Sequence, residues 1–135
     1  MKIYIAAASA EIERAERMIA LARKAGFTVV HDWPAQIREA GEANPTTVAV
    51  EQRRAWALDC LARLSSADAL WLLAPQGATS GAWVEFGASV SYGRYTIMSG
   101  AHQSVFAELA TENADTDEDG LAMLCAYRHR KSMGY

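Results

Sequence analysis

Apolar and polar positions alternate along the chain in two periods, and the period changes at regular intervals. Residues 2–7 (KIYIAA) form a short apolar run rich in strand formers. Ser9 stands at an N-cap position with Glu11 and Glu13 behind it. Ile12, Ala15, Ile19 and Ala22 then follow at helical spacing until Gly26. Residues 27–33 (FTVVHDW) predict a second strand, and residues 34–46 predict a polar loop with two prolines and Gly41. A long helix is expected over residues 47–65, with Val50, Ala57, Leu61 and Leu64 on its inner face. Residues 67–75 (ADALWLLAP) are almost unbroken apolar sequence of strand length, as in a strand covered on both faces of a parallel sheet. After the loop QGATSG come a helix over residues 82–93, a strand over 95–99 and a short helix over 104–110. An edge strand over 112–114 and a last helix over 118–130 complete the chain.

Strand and helix in alternation imply crossover connections and a parallel sheet with helices on both faces. The expected fold is α/β: a flavodoxin-like or Rossmann-like doubly wound sheet of 4–5 parallel strands in a three-layer α/β/α arrangement, one domain over residues 1–135. Such sheets bind ligands at the carboxyl ends of their strands, so the loops after Ala7, Asp32, Ala74 and Ser99 are the places to look.

Composition narrows the functional classes. With 51% hydrophobic and 21% charged residues the chain fits a soluble globular domain. A net charge of −3 gives no basic bias towards nucleic acid. No apolar run reaches the length of a membrane span, and residues 1–10 read as structure, not as a signal peptide. The expected setting is cytoplasmic, with no membrane partner. Cys60 and Cys125 have neither metal spacing nor a disulfide framework and read as two buried thiols. His31, His102 and His129 are too scattered for a metal site; His102, just after the fourth strand, is the histidine expected near the pocket. The acidic run 115–119 lacks calcium-loop spacing and reads as a solvated turn with a helix cap. Neither a metal nor a cofactor is expected.

The richest stretch for chemistry is residues 68–94. A buried strand leads into a loop holding Gly77, Thr79, Ser80 and Gly81, then into a helix read as carrying Glu85 in its first turn. A carboxylate at a helix N-terminus is held ionised by the dipole, and an ionised, positioned carboxylate is a competent nucleophile towards an electron-poor sugar carbon. The same pattern also suits a surface acid that only complements the dipole. Tyr4 lies on the strand face opposite Ile3 and Ile5, and its strand neighbours the one leading to Glu85.

Lys2-Ile3-Tyr4, then Ala67-Asp68 opening an apolar strand, then Gly81-x-x-x-Glu85-x-Gly87 closing on Gly93-Arg94, resemble the nucleoside 2-deoxyribosyltransferase family, including the related deoxynucleoside 5′-monophosphate N-glycosidases. The resemblance implies cleavage of the N-glycosidic bond of a (deoxy)nucleoside or its 5′-monophosphate through a glutamate glycosyl-enzyme, resolved by a base or by water. It places the nucleophile on Glu85 and its hydrogen-bonding tyrosine on Tyr4. It places sugar and 5′-end contacts on Ser9, Thr79, Ser80 and Gly81, and base contacts on Asp59 and on Trp33, with Gln36 and Asn44 in the same covering loop. It also implies a homodimer or higher homo-oligomer in which a neighbouring subunit lends Ser104. The family's second-helix aspartate is Cys60 here, with Asp59 one residue out of register, and no arginine follows the first strand until Arg14. Two other readings stay open: a catalytically inactive nucleotide-binding or sensing domain, and a phosphoribohydrolase similar to the cytokinin-activating enzymes.

Overall fold

A computed structural model describes residues 1–41, 48–102 and 104–135. Among these residues the strands are β1 (Lys2–Ala6), β2 (Thr28–Val29), β3 (Ala69–Leu73), β4 (Tyr95–Ser99) and β5 (Glu112–Ala114). The helices are α1 (Ile12–Lys24), α2 (Trp33–Ala40), α3 (Val50–Ser65), α4 (Gly81–Ser91) and α5 (Asp117–Ser132). All strand pairs are parallel, in the order β2-β1-β3-β4-β5. This is the doubly wound sheet that the alternating pattern predicts, and its order switches between β1 and β3.

The two-residue period sorts the strand side chains between two cores. Ile3, Ile5, Trp71, Leu73 and Ile97 meet Ala15, Met18, Ile19 and Ala22 of α1 and Leu124 of α5. Tyr4, Ala6, Leu70, Leu72 and Met98 meet Leu64 of α3 and Ala82 and Phe86 of α4. Every residue of β3 is buried, as expected of the central strand. Gly120 lets α5 settle on that centre, since a Cβ there would lie 2.9 Å from the Trp71 indole nitrogen.

Several local expectations change. Trp33–Ala40 is a helix, not part of a loop: Asp32 caps it by accepting from the Ala35 N–H, Pro34 occupies its first turn, and Gly41 ends it at φ 66°. β2 is correspondingly cut to two residues. Asn44 and the rest of 42–47 lie outside the described residues, and α3 begins at Val50. The inner face of α3 keeps Leu61 and Leu64 of the expected set, which pack into the second core, but not Val50 or Ala57. Val50 is exposed, whereas Trp56, Cys60 and Leu64 follow one another at four-residue spacing towards the sheet and cleft. Ser9 does not cap α1. It opens a 3-10 turn, Ser9–Glu11, and Glu11 instead pairs with Arg14. Ser104 caps another 3-10 segment, Val105–Leu109, by accepting from the Phe106 N–H.

Arg14 is absorbed by the fold. Its guanidinium pairs with Asp117 and Glu11 and donates to the carbonyls of Ala74 and Ser99, tying the ends of β3 and β4 to α1 and α5. Burial opposes ionisation of Asp117, but the bonds from Arg14 and Ser99 outweigh it and hold the carboxyl below its usual pKa. The acidic run 115–119 thus contributes an internal ion pair as well as a solvated turn. No described helix is long and apolar enough to cross a membrane.

Candidate active site

The carboxyl ends of β1 and β3 diverge at the switch point and leave a cleft of about 440 Å³, within the range of small-molecule sites. One wall is Ala7 and Ser9, after β1. A second is the β3–α4 connection, with Ala78, Thr79, Ser80 and Gly81. The roof is Trp33, Gln36 and Ile37 of α2 and Trp56 and Cys60 of α3, and Glu85 of α4 faces in. Trp33 is held in place by its indole N–H, which donates to the Ile5 carbonyl at 2.9 Å.

Glu85 and Tyr4, 81 positions apart in sequence, meet at the base of this cleft: Tyr4 Oη lies 2.9 Å from Glu85 Oε1. The Tyr4 ring is fully buried between β1 and α4. On its other side the hydroxyl lies 3.2 Å from His31 Nδ1, and His31 Nε2 lies 3.1 Å from Gln36 Oε1. Tyr4 and His31 also pack ring against ring at 5.7 Å. A continuous polar chain therefore runs Glu85–Tyr4–His31–Gln36 across β1, the β2–α2 junction and α2.

The electrostatics of Glu85 reverse the sequence-based expectation. α4 begins at Gly81, so Glu85 stands in its second turn, beyond the N-terminal N–H groups. Burial dominates and raises its pKa to about 7, although the Tyr4 hydrogen bond pulls the other way. Burial likewise raises the Tyr4 phenol, with the Glu85 charge adding to it. Cys60 is raised by burial first and by Glu85 second, so its thiol stays protonated. His31 is lowered, chiefly by burial. Uncharged forms are thus favoured throughout the site, which suits a carboxyl group poised near neutral pH.

The remaining sequence candidates divide. Ser9, Thr79, Ser80, Gly81, Trp33 and Gln36 line the cleft with Glu85. Asp59 does not line it: the α3 register turns Cys60 inward, and Asp59 pairs with Arg63 at 2.9 Å. Ser104 lies outside the cleft of its own chain, and His102 is not among the lining residues. His31 takes the central place that the sequence assigned to no histidine. Its signal was the helix start Asp32-x-Pro34 directly behind it, which turns the chain inward before the helix. Trp56 was missed because the expected inner face of α3 ran through Ala57, and the cleft-facing position falls on Cys60, not on Asp59. Cys60 and Cys125 are free thiols, both half-buried. Among the described residues no group of three or more His, Cys, Asp or Glu side chains is placed to hold a metal ion.

No family model matches the chain, and no curated protein matches it in sequence. Its fold is found in a solved structure, the CMP N-glycosidase BcmB of Clostridium botulinum. The two share 14% identity with a TM-score of 0.57, over 92% of this chain and 98% of the other.

Proposed function

We propose that this protein cleaves the N-glycosidic bond of a nucleoside or nucleoside 5′-monophosphate, with Glu85 as the nucleophile. The observation that carries the reading is the Tyr4–Glu85 contact at 2.9 Å on the floor of a cleft at the switch point. The shared fold with a CMP N-glycosidase accords with it. Attack by Glu85 on the anomeric carbon forms a carbon–oxygen bond as the carbon–nitrogen bond to the base breaks, and the base leaves with that electron pair. Water, or a second base, then displaces the carboxylate. This is the two-step logic of a retaining glycosidase. Tyr4 orients the carboxylate and supports its charge by donating to Oε1. Ser9, Thr79 and Ser80 offer hydroxyls to the sugar and its 5′ end. Trp33 and Trp56 give the base two aromatic walls, and Gln36 offers its amide to a base edge.

The test is incubation with a panel of deoxynucleosides and their 5′-monophosphates, with and without an acceptor base. Free base is expected from at least one member. Release that needs the monophosphate favours a nucleotide hydrolase, and a new nucleoside formed with the acceptor favours a transferase. Tight ligand binding with no base release from any member would instead mark a binding domain.

Self-association belongs to the same proposal. Val84 on α4 and Val105, Phe106 and Leu109 on the 3-10 segment are more than half exposed, and Val84, Phe106 and Leu109 line one apolar hollow beside the helix of Glu85. Contiguous exposed apolar side chains of this kind mark an association surface. A dimer or larger assembly is expected by sedimentation, and Phe106→Asp is expected to yield monomers. A monomeric wild-type protein at micromolar concentration would contradict this.

A further inference from the structure

The hydrogen atoms of the Glu85–Tyr4–His31–Gln36 chain cannot be placed independently. Tyr4 Oη has one proton and two strong polar neighbours, Glu85 Oε1 at 2.9 Å and His31 Nδ1 at 3.2 Å; the Cys60 thiol also reaches it, but as a weak donor it leaves the placement of the phenol proton to the other two. A phenol donates once and accepts from the other side. When Glu85 is a carboxylate it can only accept, so Tyr4 gives it the proton. Nδ1 must then carry a hydrogen to bond the phenol oxygen. When Glu85 is a neutral acid it can donate to Tyr4, and the Tyr4 proton is free to turn to a bare Nδ1. The neutral ring then carries its hydrogen on Nε2, facing Gln36 Oε1 at 3.1 Å.

We propose that His31 is a positioning residue for Glu85: through the Tyr4 hydroxyl, the tautomer of the His31 ring and the charge of the Glu85 carboxyl change together. Ionising Glu85 breaks its O–H bond, and the proton leaves to solvent. The phenol proton rotates from His31 to Glu85. The ring exchanges its Nε2 hydrogen for one on Nδ1, and the Gln36 amide turns to present its NH₂ to the bare Nε2. An amide makes that turn without changing its shape. Carboxylate and Nδ1–H tautomer form one state, carboxylic acid and Nε2–H tautomer the other. No redox change or further reactant is involved.

The surroundings favour a neutral switch over a charged one. His31 is 3% exposed. Around it stand Tyr4 from β1, Asp32 and Gln36 at the start of α2, and Asp59 and Arg63 from α3. Asp59 Oδ2 is 3.9 Å from Nε2 but is itself bonded to Arg63, so the two opposite charges largely offset each other at the ring. Glu85 is faced by Tyr4 and by the Cys60 thiol. Burial holds the His31 pKa below its usual value, which keeps the ring uncharged near neutral pH.

The value of this linkage for glycosidic cleavage rests on the function proposed above, because only there does a carboxylate nucleophile need a phenol aimed at it. The linkage itself needs no substrate, and its test uses none. Nitrogen-15 NMR of histidine-labelled protein distinguishes the two tautomers. The chain has three histidines, and the His31 signals are assigned by their loss in His31→Gln. The expected result is an Nε2–H ring near pH 6 that becomes an Nδ1–H ring near pH 8.5. The two nitrogen resonances exchange places while the ring stays neutral. Glu85→Gln cannot ionise and is expected to hold one tautomer across that range, and Tyr4→Phe cuts the link and is expected to do the same. One unchanging tautomer in the wild-type protein would overturn the proposal, as would a switch that persists in Glu85→Gln. A switch in a protein that releases no base from any substrate would leave the linkage standing and remove only the glycosidase reading.

Discussion

Replacing Glu85 by alanine or glutamine is expected to lower base release by about 10⁴-fold or more, the scale seen when a covalent nucleophile is lost. Neither side chain supplies the negative oxygen that must bond to the anomeric carbon. The two variants separate chemistry from shape. Glutamine keeps the size of the side chain and an oxygen that accepts from Tyr4 Oη, now 2.9 Å from Glu85 Oε1. The cleft therefore keeps its form, and substrate affinity measured by calorimetry is expected to change little while turnover disappears. Tyr4→Phe is expected to do less, about 10–100-fold, because it removes one hydrogen bond to a charged group and leaves the nucleophile in place. Measurable turnover in Glu85→Gln, within tenfold of wild type, would show that another group attacks the sugar.

The same glutamine variant is expected to be more stable than the wild-type protein, and increasingly so as pH rises. Burial raises the Glu85 pKa to about 7 from an ordinary value of 4.5. Between those two pH values the folded chain therefore binds more protons than the unfolded chain, and stability falls as pH increases. Below about pH 4.5 both states are protonated and the penalty is absent. Above pH 7 it is fully present. The side chain keeps partial access to water, so roughly 2–3 kcal/mol is the expected size. Glutamine does not titrate. The gain of Glu85→Gln over wild type is thus expected to grow from near zero at pH 4.5 to about 5–10 °C in melting temperature at pH 8. All other titrating groups are common to the two proteins and cancel in the difference. An equal gain at both pH values would mean that Glu85 is not desolvated. A site residue that costs stability where it must be charged is the usual trade between activity and fold.

Much of the architecture was legible because it rests on period and burial. The unbroken run Ala69–Leu73 has the length and composition of a strand covered on both faces, and alternation along β1 placed Tyr4 opposite Ile3 and Ile5. The meeting of Tyr4 and Glu85 followed from β1 and β3 being neighbours. Other features were written in signals weighed too lightly. Asp32, Pro34 and Gly41 are the cap, first-turn proline and left-handed stop of α2, yet two prolines within thirteen residues read more readily as a loop. That error hid His31, whose inward turn depends on the helix starting where it does. On α3 the helical period reaches the right inner positions at Leu61 and Leu64, but it also includes Val50 and Ala57, which are exposed, and passes over Trp56 and Cys60, which line the cleft.

Two features had no local signal. Arg14 and Asp117 are 103 positions apart, and only the packing of α1 beside α5 makes them partners. The raised pKa of Glu85 comes from burial: α4 starts one residue earlier than expected, at Gly81, and the loss of solvent around the carboxyl reverses the sign that a helix end would give. Burial of one side chain is set by the packing of the whole fold, and here it decides the resting charge of the residue on which the chemistry depends.

The most direct measurement is of the bond that Glu85 is proposed to make. The protein is mixed with a substrate that releases base, quenched in acid, digested and weighed by mass spectrometry. The expected result is a pentose, or a pentose phosphate, attached to the peptide that contains Glu85, and no such adduct in Glu85→Gln. Base release with the sugar on a different side chain, or with no covalent species at any time point, would contradict a glutamate nucleophile at this site.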